Sequence, residues 1–302
     1  MATLAILLIT LSAFTHASWN LICKAKAPSG AFFLILTDVS VILGMIPVLI
    51  VCPEYIVKAP AGVWWALLAT GFFQAVYFVS LANAYRLSEI SVAYPLARSI
   101  PVLLTPIVTF IFGFGKTPTC WALLGMFLIF CGCLVLPQKK FKEILNRKNY
   151  ANAGFLCVIC AALFITGYTV TDREGLRTLE EMLRLENGLS ATEKLPSKLV
   201  FSSALFFITF EYLMISLFLT PYVLLVKTER EKLKSTMQNG LGYTLLATVL
   251  CSGGYMLVLC AMQLVDNVSY VVAFRQLSIP LGAVLGIYLL KENYNVCKIS
   301  GL

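Results

Sequence analysis

Five long stretches of this chain contain no lysine, arginine or glutamate: Thr3 to Leu21, Ala31 to Val51, Ala61 to Ala84, Thr117 to Leu136 and Leu241 to Val265, with Asp38 as their only acid. A run of about 20 such residues crosses the hydrocarbon of a bilayer as a helix, because lipid offers the backbone no outside hydrogen-bond partner. Apolar residues make up 59% of the 302 positions and charged ones only 13%, far from the balance of a soluble domain. The fold class expected is therefore an all-α polytopic membrane protein.

Apolar spans predict helices near residues 2 to 23, 31 to 51, 61 to 85, 89 to 114, 118 to 136, 151 to 171, 199 to 226, 241 to 265 and 268 to 290. Thr15, His16 and Ala17 resemble a signal-peptide cleavage site. No basic segment precedes that first run, however, so a retained helix is expected. The formal charge is +8, but the basic residues lie in short segments between spans. Membrane lipid, not nucleic acid, is the partner they imply. Most of the ten cysteines fall inside apolar spans and read as inert buried thiols, including Cys157 and Cys160 of a Cys-x-x-Cys in mid-helix.

Inverted internal repeats recur in membrane transporters, which makes a search for one informative. A shift of 177 residues places Ala84, Leu87, Glu89 and Arg98 on Ala261, Leu264, Asp266 and Arg275 without a gap. These segments are the fourth and ninth helices, so the two copies run through the membrane in opposite directions. Asp38 and Glu211 form a second approximate match, followed by Pro47 and Pro221. The expected organisation is a first repeat over 1–137, a basic linker over 138–150 and a second repeat over 151–302. The tenth helix of this five-plus-five scheme begins near Cys297 and is incomplete at Leu302. Basic residues in the 1-2, 5-6 and 7-8 connections put those loops in the cytoplasm and the N-terminus outside.

A charged side chain inside an apolar helix costs several kcal/mol unless it faces a cavity or a partner, which singles out Arg98 and Arg275. Tyr94, Arg98, Pro101 and Thr105 share one helical stripe; Arg275, Ser278, Gly282 and Gly286 share another. Pro95, Pro101 and Pro106 each delete a backbone donor. Snorkelling or pairing with a carboxylate is the structural alternative for both arginines. His16, Trp19 and Asn20 lie on one face of the first helix, and Gln74 and Tyr77 on one face of the third. Together with Tyr94, Arg98, Arg275 and Gln276 they are the substrate-binding candidates. Asp38 and Glu211 are the coupling candidates, since a carboxyl in apolar surroundings can exchange a proton; pairing with Arg98 or Arg275 is the competing role. Gly282 and Gly286 read as a close-packing motif.

No catalytic or metal site is expected: His-Glu-x-x-His, Gly-x-Ser-x-Gly and Walker sequences are missing, and His16 is the only histidine. No cofactor is implied.

The segments His16-Ala-Ser-Trp-Asn20, Ala84-Tyr-Arg-Leu-Ser-Glu-Ile-Ser-Val-Ala-Tyr-Pro-Leu-Ala-Arg98, Gly167-Tyr-Thr-Val-Thr-Asp172 and Ser269-Tyr-Val-Val-Ala-Phe-Arg-Gln-Leu-Ser278 together resemble the drug/metabolite transporter superfamily, in its EamA-type members with two five-helix repeats. The resemblance implies a central cavity and alternating access, and the export of amino acids or other metabolites across the cell membrane. The chain departs from that pattern in its incomplete tenth helix and in the long 173–198 connection, where Thr178 to Leu189 reads as a separate amphipathic surface helix. The expectation is a secondary transporter for a small polar or amphipathic metabolite, driven by its own gradient or by protons. A non-transporting membrane scaffold or regulatory subunit is the alternative, and a homo-oligomer stays open.

Overall fold

In a computed structural model the chain is described over residues 3–26, 28–87, 90–135, 152–190 and 193–282. The long helices in chain order are α1 (Thr3–Lys26), α2 (Gly30–Val51), α4 (Ala61–Leu87), α5 (Ile90–Phe112), α6 (Cys120–Val135), α7 (Ala153–Glu186), α8 (Ser197–Leu225) and α10 (Leu241–Met262). Short helices α3 (Tyr55–Lys58), α9 (Lys227–Asn239) and α11 (Val268–Phe274) lie between or after them. Among the described residues seven helices are long and apolar enough to cross a membrane. The chain is a helical membrane protein.

Side-chain caps begin several of these helices. Ser29, Asn152 and Asn267 accept the N–H groups of Phe32, Phe155 and Ser269, which open α2, α7 and α11; each satisfies a backbone donor that helix geometry leaves orphaned. Gly113, with a φ of 69°, follows the last turn of α5, a conformation glycine adopts without steric cost.

Two helices depart from the sequence expectation. The sixth, α7, does not stop at residue 171 but runs 34 residues to Glu186, about 50 Å at 1.5 Å per residue, well beyond the roughly 30 Å of hydrocarbon. Its outer part is the stretch expected as a separate surface helix. Arg177 bridges Glu174 and Glu181 at 2.8 and 3.0 Å, while Leu176, Leu179 and Leu183 are fully buried. One helical stripe thus continues without a break. The ninth helix, by contrast, is interrupted: α11 tightens into a 3-10 turn over Arg275–Leu277 and is helical again over 278–282. The linker over 138–150, Gly286 and the start of a tenth helix near Cys297 lie outside the described residues, as does the side chain of Tyr94.

Three helix pairs build the bundle: α4 packs along α7, α1 along α10 and α2 along α8. Close approach is permitted where side chains vanish. A Cβ on Gly175 of α7 would stand 2.7 Å from both Ala66 of α4 and Phe207 of α8. In the α1–α10 pair, Ser12 donates to the carbonyl of Gly254 at 2.8 Å. A Cβ on Gly282 would stand 4.0 Å from that of Ala17 of α1, an ordinary contact that does not require a glycine. Apolar residues such as Phe110, Trp121 and Leu225 point outward, where lipid is the solvent.

The connections sort to two sides. Glu229 of α9 accepts the N–H of Ala31 at 3.2 Å, so the 1-2 and 7-8 connections share one side. Lys58 pairs with Glu186 at 2.9 Å, and Lys116 with Asp266 at 3.3 Å, on the other.

Candidate functional site

Arg98 lies about two turns into α5, among Pro95, Pro101 and Pro106, and Arg275 opens the 3-10 turn that follows α11. Arg98 and Arg275 are each only 4% exposed. Both line one small gap that Pro101, Ile165, Thr169, Val272 and Gln276 complete. That gap measures about 10 Å³ to the centre of a water-sized sphere, room for about one water.

Arg98 Nη1 lies 3.2 Å from His16 Nε2 of α1. A guanidinium has no acceptor, so the arginine donates and the imidazole nitrogen accepts. The His16 ring meets Trp19 edge-on at 5.3 Å. Arg275 stacks over the ring of Tyr255 on α10, its Cζ 5.3 Å from the centroid, within cation–π range. Gln276 turns its amide back to the carbonyl of Val272 at 2.9 Å.

A second polar layer joins this one through aromatic rings. Tyr168 of α7 contacts Tyr255 at 6.1 Å and Tyr77 of α4 at 5.7 Å between centroids. Tyr255 donates its hydroxyl to Asp172, which also accepts from Thr70 at 2.5 Å. Gln74 donates to Glu211 Oε1, and Glu211 Oε2 is buried without a partner. Two carboxyls and two guanidiniums thus occupy the bundle interior, and Tyr255 joins Asp172 to Arg275.

His16, Trp19, Arg98, Arg275 and Gln276 therefore come together, and Gln74, Tyr77 and Glu211 form the adjoining layer. Asn20 is half-buried and donates to the carbonyl of His16 at 2.6 Å. Asp38 is exposed on α2, with Ser216 of α8 beside it. Among the described residues neither Asp38 nor Glu211 forms an ion pair with Arg98 or Arg275.

Sequence reasoning missed Asp172, Thr70, Tyr168 and Tyr255 as site residues. The signal for Asp172 was its place at the end of an apolar run, and ending that helix at residue 171 left it just outside the helix. Among the described residues all cysteines are free, and Cys160 accepts from Ser80 at 3.2 Å.

No protein-family model matches the chain, and a search of curated proteins finds no match. A solved structure titled only "Crystal structure of protein" is similar over 100% of this chain and 93% of its own, with a TM-score of 0.59 and 13% identity. At that identity the likeness shows a shared fold over the whole chain.

Proposed function

We propose that this protein is a secondary transporter of the cell membrane, moving a small zwitterionic metabolite such as an amino acid by alternating access. The observation that carries the reading is the pair Arg98 and Arg275, buried in oppositely directed helices and lining one small gap. Buried arginines are costly in a membrane and mark substrate or ion pathways. Two guanidiniums suit the forked geometry of a carboxylate. Asp172, Glu211 and the rings of Tyr77, Tyr168 and Tyr255 offer the complementary surroundings for an ammonium group.

The same reading treats the chain as two five-helix repeats of EamA type in opposite orientation, with the basic connections in the cytoplasm. Its support is the arrangement of pairs: exchanging the halves turns α4 on α7 into α10 on α1, and returns α2 on α8 to itself. A gap too small for cargo fits an occluded state that opens to either side by rocking one half against the other.

Purified protein reconstituted in vesicles preloaded with a mixture of L-amino acids, then given radiolabelled members of it outside, tests the proposal. Exchange that saturates with concentration is the expected result. No exchange with amino acids, organic acids or phosphate esters, in protein of intact thermal stability, favours a scaffold or regulatory subunit instead.

A further inference from the structure

Asp172 on α7 and Glu211 on α8 are each no more than 1% exposed. Glu211 lies within electrostatic reach of both Asp172 and Arg275. The remaining titratable groups that face them are Tyr168 of α7, Tyr212 of α8, and Cys251 and Tyr255 of α10. From α4 come only the neutral Thr70 and Gln74, and the acid of α2, Asp38, is exposed.

Among the described residues neither carboxyl takes part in an ion pair. Hydroxyls of Thr70 and Tyr255 occupy the two oxygens of Asp172. The Gln74 amide occupies one oxygen of Glu211, and the other has no partner. An ionised oxygen so placed has lost its water without gaining an ion pair, Arg275 acting only from a distance, a much larger penalty than a neutral group incurs. When two carboxyls lie within electrostatic reach of one another, one of them relieves that penalty by keeping its proton. The bare oxygen, Glu211 Oε2, is where that proton fits.

We propose that Asp172 and Glu211 form a proton-carrying pair that exchanges its proton for the ammonium group of the substrate, making the transporter a proton antiporter. This rests on the reading of the chain as a transporter of zwitterions. When the site opens to one side, the O–H bond of Glu211 breaks and its proton passes to water. The ammonium then takes the place of the lost positive charge between the two carboxylates, while Arg98 and Arg275 hold the substrate carboxylate. On the other side the substrate leaves, and a proton from water returns to Glu211. Tyr255 couples the layers, since its hydroxyl binds Asp172 while its ring lies against Arg275.

Two measurements on purified protein in lipid nanodiscs test the pair. Without substrate, the infrared carbonyl band of a protonated carboxyl should vanish as pH rises, be absent in Glu211→Gln and be displaced in Asp172→Asn. In unbuffered medium, adding a mixture of L-amino acids to the unmodified protein should release close to one proton per molecule bound, which needs no variant to fold. A titrating band indifferent to both substitutions, no such band, or amino-acid binding with no proton released would each overturn the proposal. Exchange in vesicles of equal pH separates the two readings. Exchange without proton release removes the antiport and leaves the transporter; a titrating band without exchange of any amino acid removes the transporter and its coupling together.

Discussion

Arg98 of α5 and His16 of α1 are joined side chain to side chain at 3.2 Å, both almost fully buried. The bond ties the proline-rich helix to the first helix at the depth of the central gap. It restricts where the guanidinium points.

Replacing His16 by Leu should leave a buried donor of Arg98 without this acceptor, at a cost of about 1–3 kcal/mol in stability. His16→Gln keeps an acceptor and should lose less. Thermal unfolding in one detergent reads the difference. Equal midpoints for both variants would show that the contact adds nothing measurable.

For the arginines, lysine keeps the charge but loses the forked geometry, and glutamine loses both. Arg98→Gln and Arg275→Gln should cut amino-acid exchange at least tenfold and the lysine variants by less, with surface expression unchanged. Variants that instead lose expression and stability, while surviving protein exchanges normally, would assign both arginines to structure.

Helix contact can be tested at Gly175. Its Cβ would meet Ala66 and Phe207 at 2.7 Å, so Gly175→Ala forces an overpacked three-helix junction and should cost about 1–3 kcal/mol. Gly253, also helical, has nothing within 4 Å of its would-be Cβ. Gly253→Ala should leave the unfolding midpoint unchanged or slightly raised, since alanine is the better helix former.

The side of each connection follows from the contact of Glu229 with Ala31 and of Lys58 with Glu186. In a cysteine-free variant, Lys234→Cys should react with impermeant maleimide only after cells are permeabilised, and Glu193→Cys in intact cells. The reverse pattern would invert the orientation without altering the fold.

Most helix limits were legible in the sequence because charge-free runs and lipid-exposed length are the same constraint seen twice. The limit of α7 was not, since its apolar run ends where Arg173 begins while the buried stripe of Leu176, Leu179 and Leu183 carries the helix on. Losing that stripe hid Asp172. Asp38 and Glu211 looked alike because α2 and α8 are apolar on every side, so the chain does not mark which face meets lipid. Glu211 is buried and Asp38 exposed. The arginines stood out for the opposite reason, as a charge at membrane depth tolerates few environments.

The turn after α5 meets the turn before α11, and under the proposed alternating access one end of the bundle must close while the other opens. Lys116 donates its backbone N–H to the carbonyl of Asp266 at 3.3 Å, and their side chains pair at 3.3 Å. An exposed ion pair of this kind contributes little by itself. The bridge from Asn267 to Thr109 and to the carbonyl of Phe114, at 3.3 and 3.4 Å, gives the contact its fixed geometry. A backbone hydrogen bond between two residues brings their Cα atoms to about 5–6 Å, within the span of a disulfide. In a cysteine-free background, Lys116→Cys with Asp266→Cys should therefore cross-link on mild oxidation. If these turns must part for cargo to pass, oxidised protein should lose exchange and recover it on reduction, and each single variant should exchange normally under oxidant. Cross-linked protein that still exchanges at full rate would mean that the turns move together, and would place the gate elsewhere in the bundle.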